Sequence, residues 1–333
     1  MRFKVTLLLL SFILFACVAF AQNKTISDSS VNNLVHTPGY KTSEYAAIPR
    51  FTKKGNGKQT LILIPGLGFD ASVFDDFINA NKKNYTMYAI TVPGYGNTNA
   101  PPMPLTDSSY GDQNWSKGII EGLMKLIKKQ NLRKPVIVGH FVQGTQLALR
   151  MAIDHPDKVG SVIILGGPVK FIYIDKGEPK PYPLKAMISY IDKYTAPAWF
   201  KTMSHKKFND GNYLPEIYSL DSTRASNLWK QSASQPLPVM VRYLCEFFAS
   251  DITLELEKIK CPVLVLRATF NDKILLVPIN NYVRPQFIDS WNEITLKNPS
   301  IRVKDIQGAA SFVWKDKPAE VYTEIKAFLS KPK

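Results

Sequence analysis

The sequence predicts a doubly wound, mostly parallel α/β sheet carrying a helical insertion, and three observations predict it. Six short runs, Thr60–Ile64, Tyr85–Val92, Pro135–Val138, Ser161–Leu165, Val263–Leu266 and Ser300–Ile306, are mostly near-continuous in apolar residues. That pattern suits strands buried on both faces of a parallel sheet. Between them, Ile119, Ile120, Leu123, Met124 and Ile127 recur at helical spacing, as do Leu147, Ala148, Met151 and Ala152. The alternation pauses at about Pro168 and resumes at about Lys258. The stretch between is rich in aromatics, including Tyr182, Tyr190, Trp199, Phe200, Tyr218, Trp229, Phe247 and Phe248, and reads as a helical insertion over the sheet, with most of those rings in the core.

The organisation follows from the N-terminus onward. Arg2 and Lys4 precede an apolar run from Val5 to Phe15, and Ala19-Phe20-Ala21 offers a small-x-small cleavage site, so residues 1–21 read as a signal peptide and the mature chain begins at Gln22. The run is too short to span a bilayer comfortably. An acylated Cys17 is the alternative, which the bulky Phe15 fits poorly. Export to a periplasmic or extracellular location is the expectation. Residues 22–58 are polar and turn-rich, with room for an edge strand pair. Residues 59–333 form the α/β domain, with the insertion at about 169–257.

At 333 residues and 45% hydrophobic content the chain has ample material for one large core, which excludes a disordered class. Its net charge of +15 falls to +13 once Arg2 and Lys4 leave with the signal. The lysines are scattered in pairs such as Lys53-Lys54, Lys82-Lys83, Lys128-Lys129 and Lys206-Lys207, without interleaved aromatics, so they read as a solvated surface and not as a specific nucleic-acid site. Cys245 and Cys261 are too few for a disulfide framework and lack metal-site spacing; a single bridge and two buried thiols both remain open. There is no signature of a metal or nucleotide cofactor. Gly139-x-x-x-x-Gly144-Thr145 lacks the lysine of a phosphate loop.

Four motifs carry the chemistry. The first strand ends in Pro65-Gly66-Leu67-Gly68, and the next is followed by Val92-Pro93-Gly94-Tyr95-Gly96-Asn97-Thr98. The third is Val136-Ile137-Val138-Gly139-His140-Phe141-Val142-Gln143-Gly144, a strand, a tight turn and an amphipathic helix, with His155-Pro156-Asp157-Lys158-Val159 after it. The fourth pairs Cys261-Pro262-Val263-Leu264-Val265-Leu266 with Ala309-Ala310-Ser311-Phe312-Val313-Trp314. In this order, from about Thr60 to Leu329, they resemble the α/β-hydrolase family, including its lipase- and esterase-like members. The resemblance implies a nucleophile elbow centred on Phe141, an oxyanion hole built from the backbone N–H groups of Leu67 and Val142, an acid at Asn271 or Asp272, and a base at Ser311.

Those positions hold the wrong chemistry for a Ser-His-Asp triad. The phenyl ring of Phe141 has no lone pair with which to attack a carbonyl. Ser311 cannot take up and return a proton near neutral pH as imidazole does. Without a histidine to orient, a carboxylate at Asp272 has no triad role and reads as solvated. Gln143 replaces a residue that the family keeps small, which predicts a locally reshaped elbow. Of the four histidines, His36 lies in the N-terminal segment, His140 precedes the elbow centre, His155 ends the next helix and His205 lies in the insertion.

Two main readings follow. In the first, the protein is non-catalytic and binds a small apolar or amphipathic ligand, or a partner, in a retained pocket lined by Leu67, Phe141, Val142 and Ser311. In the second, it is an esterase-like enzyme acting on acyl, ester or lactone substrates through the backbone oxyanion donors alone. A third, weaker reading makes the protein a basic envelope-associated factor whose charge matters more than its pocket.

Overall fold

A computed structural model describes residues 40–330, apart from 106, 176, 177, 181, 213, 278 and 279 and the side chains of 209–212. The signal peptide expected at 1–21 and the N-terminal segment up to 39 lie outside the described residues, as does His36.

The strands are β1 (Arg50–Lys54), β2 (Gln59–Ile64), β3 (Tyr85–Thr91), β4 (Val136–His140), β5 (Ser161–Leu165), β6 (Ile174–Asp175), β7 (Glu178–Pro179), β8 (Val263–Ala268) and β9 (Ile301–Ile306). Seven of them form one sheet in the order β1-β3-β2-β4-β5-β8-β9, and β6 pairs with β7 in a separate hairpin. All neighbours in the large sheet run parallel except β1, which pairs antiparallel with β3 at the edge. Leu61–Ile64, Val136–Val138, Val162–Leu165 and Val263–Leu266 are all buried. Such runs are fully apolar because helices cover both faces of the sheet.

The longer helices are α1 (Asp75–Asn81), α2 (Asn114–Lys129), α3 (Phe141–Asp154), α4 (Leu184–Tyr190), α5 (Ala196–Thr202), α6 (His205–Asn212), α7 (Ser222–Ala233), α8 (Leu237–Phe248) and α9 (Pro318–Leu329). Of these, α4 to α8 lie in the chain between β5 and β8, where the sequence places its insertion. Most of the aromatics named there are buried: Trp199, Tyr218, Trp229, Phe247 and Phe248. Tyr182 is 40% exposed. No helix among the described residues is long and apolar enough to cross a membrane.

The insertion is locked down by a buried ion pair. Arg242 and Glu246 on α8 lie one helical turn apart, 2.8 Å from each other, with side chains 3% and 0% exposed. Glu246 also accepts from the backbone N–H groups of Trp115 and Ser116 at 2.9 Å each and from the Ser116 hydroxyl at 2.7 Å. It therefore satisfies orphan donors at the start of α2 and places an anion where the helix dipole favours one. Arg242 lies over the Tyr110 ring, 4.3 Å from its centroid. Cys245, on the same helix, and Cys261, just before β8, are both buried and are not bridged to each other, so the two-thiol alternative is the one realised.

Candidate active site

The register of β4 on β5 pairs His140 with Leu165 and brings the next residue, Phe141, to the carboxyl end of the sheet. That is where open α/β sheets place their ligands. The chain turns there from strand to helix within one residue. His140 is extended at φ −125°, and Phe141, the first residue of α3, has φ +52°. A bulky side chain at positive φ is an outlier, costing about 1–3 kcal/mol.

The ring's surroundings offset that strain. Phe141 is 2% exposed, with ring centroids of Tyr218 at 5.6 Å and Phe287 at 5.8 Å. Burial of a phenyl group is worth about 1.5–3 kcal/mol and each aromatic pair about 0.5–1.5 kcal/mol more. The elbow is retained while its centre has become a packing group. Phe287 comes from a π-type turn over Arg284–Ile288.

The oxyanion turn abuts this elbow. A Cβ added to Gly66 would sit 2.4 Å from the Cβ of Phe141, so only glycine fits there. Val142 is the second residue of α3, within the first turn, where backbone N–H groups lack intrahelical acceptors. Leu67, Phe141 and Val142 do lie together, as the motifs imply. Among the described residues, no roomy pocket is found with them. Among the described residues, the space beside Phe141 is two voids of about 20 Å³ each, one walled by Leu67, Tyr218 and Trp229 and the other by Val142, Phe247 and Phe287. Each holds about one water molecule.

At the base position Ser311 is fully buried, and its hydroxyl has no hydrogen-bond partner. Its backbone is stitched to the insertion: Ser311 N–H donates to the Ile217 carbonyl at 3.1 Å and Phe312 N–H to that of Tyr218 at 3.0 Å. Asp316 adds to the clamp by accepting from Ala310 N–H at 2.9 Å and Leu220 N–H at 3.1 Å and by pairing with Arg224 at 2.9 Å. At the acid position Asn271 is a helix cap, its side-chain oxygen accepting from Ile274 N–H at 3.1 Å. Asp272 opens the following helical turn and is exposed.

His140 lies under the elbow in an aromatic cage, with ring centroids of Phe312 at 4.2 Å and Trp314 at 4.7 Å and those of Phe69 and Phe74 near 6 Å. Neither ring nitrogen has a partner. Burial, with a smaller contribution from Lys315, holds its pKa well below the ordinary value of 6.5. Because the unfolded chain then binds the proton more readily, folding stability decreases as pH falls below about 6.5, by about 1.4 kcal/mol per pH unit until the folded-state pKa is reached. Denaturant unfolding of wild type and His140→Leu between pH 7 and 5 checks this. The variant is expected to lose stability less steeply on acidification.

The Gln143 side chain is 4% exposed, both its amide atoms are unpartnered, and it lines a separate cavity between α2, α3 and α8. Among the described residues no group of three or more histidine, cysteine, aspartate or glutamate side chains is placed to hold a metal ion.

This scaffold defines an α/β-hydrolase. The chain belongs to the alpha/beta hydrolase family, whose model matches residues 61–324. It is similar to a pimeloyl-[acyl-carrier protein] methyl ester esterase of Proteus mirabilis (strain HI4320), 28% identical over 109 residues, which is 33% of this chain and 36% of the relative. It is also similar to a 2-hydroxy-6-oxononadienedioate/2-hydroxy-6-oxononatrienedioate hydrolase of Pseudomonas sp, 26% identical over 120 residues, which is 34% of this chain and 38% of the relative. The matches thus span little over a third of these curated relatives. A solved hydrolase from Pseudomonas aeruginosa PA01 superposes with a TM-score of 0.62 at 12% identity, covering 84% of this chain and 94% of that one. MenH from S. aureus gives 0.61 at 18% identity, covering 84% and 97%. Identities this low establish the fold alone.

Proposed function

We propose that the protein is an exported α/β-hydrolase-fold binding protein that does not carry out Ser-His-Asp hydrolysis. The observation that carries this reading is Phe141 at the centre of the strand-to-helix turn, where its ring is buried and offers no nucleophile. The ligand proposed is a small amphipathic acyl compound. A groove of about 390 Å³ in the insertion supports it, walled by Phe171, Tyr173, Tyr182, Met187 and Phe248, with Lys170 and Lys180 also in its lining. Aromatic walls suit an acyl chain, and Lys180 suits an anionic head, whereas Lys170 pairs with Asp251 of the same lining at 3.4 Å. Phe171 and Phe248 also wall one of the voids beside Phe141, so the groove adjoins the inherited site.

A second reading, an esterase-like enzyme working from backbone donors, is favoured by the contact between the Gly66 turn and the elbow and by the two hydrolytic relatives. An oxyanion hole without its triad still leaves on the order of a thousandfold catalysis over water.

The readings separate on p-nitrophenyl ester hydrolysis and ligand-induced thermal stabilisation of the mature protein. The binding reading expects turnover at the blank rate and a saturable shift with medium-chain carboxylates. Turnover that depends on the Gly66-Leu67-Gly68 turn favours the enzyme, and no shift with any acyl compound leaves a protein partner. Export expects N-terminal sequencing of the secreted form to begin at Gln22; retention of Met1 overturns it.

A further inference from the structure

The sheet gathers charges that the sequence keeps apart. The loop after β1 lies directly on the loop before β3: the Asn56 N–H donates to the Lys82 carbonyl at 3.2 Å, and the Thr86 hydroxyl donates to that of Gly57 at 2.8 Å. A Cβ on Gly55 would come within 2.8 Å of the Lys82 carbonyl oxygen, so glycine permits the approach. Lys54 and Lys58 therefore share one corner of the molecule with Lys82 and Lys83. The C-terminal end of α2 joins them. Lys53 Nζ lies 5.5 Å from the centre of the Tyr88 ring, whose hydroxyl donates at 3.4 Å to Gln130, the residue after Lys128 and Lys129. Strands β3, β2 and β4 start nearly level, with Gln59 opposite Tyr85 and Leu61 opposite Val136, which sets Arg133 and Lys134 along the same edge.

Three of the four lysine pairs of the sequence thus meet at the amino-terminal end of the sheet, and the fourth, Lys206-Lys207, lies in the insertion. Nine cations stand there, all of them exposed. Residues 51–60, 77–91 and 122–138, which supply them, contain no aspartate or glutamate. Among the described residues none of the nine forms an ion pair. Asp157 precedes the next strand, β5, but Lys158 beside it balances it. Surfaces that serve solubility alone intersperse the two signs, because crowded like charges repel.

We infer that this basic end docks the protein on a bilayer surface rich in anionic phospholipid. Eight of the nine cations are lysines, which meet lipid phosphates as point charges on flexible stems, and the one arginine provides no array of bidentate contacts. They are spread over a blunt end and none lines the cavities described above, whereas a nucleic-acid strand is tracked along a groove with aromatic rings for its bases. The neighbouring Tyr85 and Tyr88 are buried and offer no such platform. None of the large exposed apolar side chains lies in these three segments, so the contact is electrostatic and without insertion. Phe141 and the insertion follow the opposite, carboxyl ends of β4 and β5, so docking leaves them on the side away from the bilayer. The inference requires neither the acyl ligand nor export, and vesicle binding succeeds or fails independently of both.

The test is co-sedimentation of the purified protein with phosphatidylcholine vesicles, either plain or containing roughly a third phosphatidylglycerol. Binding is expected to the anionic vesicles only, and to be lost at about 1 M salt, where the Debye length falls to about 3 Å from about 10 Å at 0.1 M. Lys54→Glu, Lys58→Glu, Lys83→Glu and Lys129→Glu together are expected to weaken it by about tenfold or more. The corresponding glutamine set is expected to fall between that variant and wild type, which keeps the test decisive if the glutamate set folds poorly. Lys185→Glu, Lys193→Glu, Lys201→Glu and Lys230→Glu, all at exposed positions in the insertion, change the net charge equally and are expected to leave binding within about threefold. Equal weakening by the two glutamate sets overturns the inference. So does failure to bind anionic vesicles, binding that survives high salt, or tighter binding to duplex DNA than to the vesicles at equal salt.

Discussion

Phe141→Ala is expected to destabilise the protein by about 3–5 kcal/mol, the range for deleting a fully buried phenyl group from a core that relaxes only partly. The ring touches Tyr218 and Phe287 and separates two voids of about 20 Å³ each, so its removal joins them into one chamber above the sheet. Alanine keeps the positive φ of +52° and gains nothing from the loss of the ring. Phe141→Gly removes that strain as well and is expected to be more stable than Phe141→Ala by about 1 kcal/mol. Denaturant midpoints measure both differences. The alanine variant is also expected to bind a benzene-sized apolar probe that wild type refuses. Wild-type stability in Phe141→Ala would mean that the ring is not the packing group described above.

The second large effect lies away from the site. Glu246→Ala is expected to cost about 3–5 kcal/mol, because removing one partner of a buried ion pair leaves the other charge uncompensated. The loss extends beyond Arg242. The Trp115 and Ser116 N–H groups and the Ser116 hydroxyl at the start of α2 also lose their acceptor. Glu246→Gln keeps the shape and part of the hydrogen bonding and is expected to fall between wild type and alanine. Urea unfolding of the three proteins orders them; a Glu246→Ala midpoint indistinguishable from wild type would contradict the clamp between α2 and α8.

How much of this was legible in the sequence depended on how local the cause was. The inner strands were, because Leu61–Ile64, Val136–Val138 and Val263–Leu266 are buried on both faces and carry that in their composition. Edge strand β1 reads Arg-Phe-Thr-Lys-Lys and is largely exposed, so no apolar run announces it; it exists because β3 offers it a free edge. The elbow was legible through Gly139, His140 and Gly144 around Phe141. The packing of that ring was not, since Tyr218 and Phe287 reach it from the insertion and from a π-type turn late in the chain. The same holds for Ser311. Its sequence position marked a missing base, whereas its tethering to Ile217 depends on the insertion folding back over the sheet.

Together these residues describe a hydrolase scaffold in which the strained turn that normally exposes a nucleophile holds a core aromatic instead. The most direct test of that claim is intact-mass spectrometry of the purified protein after treatment with a phosphonofluoridate, which forms a covalent adduct with an activated serine. Wild type is expected to keep its mass, while Phe141→Ser combined with Ser311→His is expected to gain one adduct, mapped by peptide analysis to position 141. A stoichiometric adduct on wild type would contradict the account and place an activated nucleophile outside the inherited triad positions.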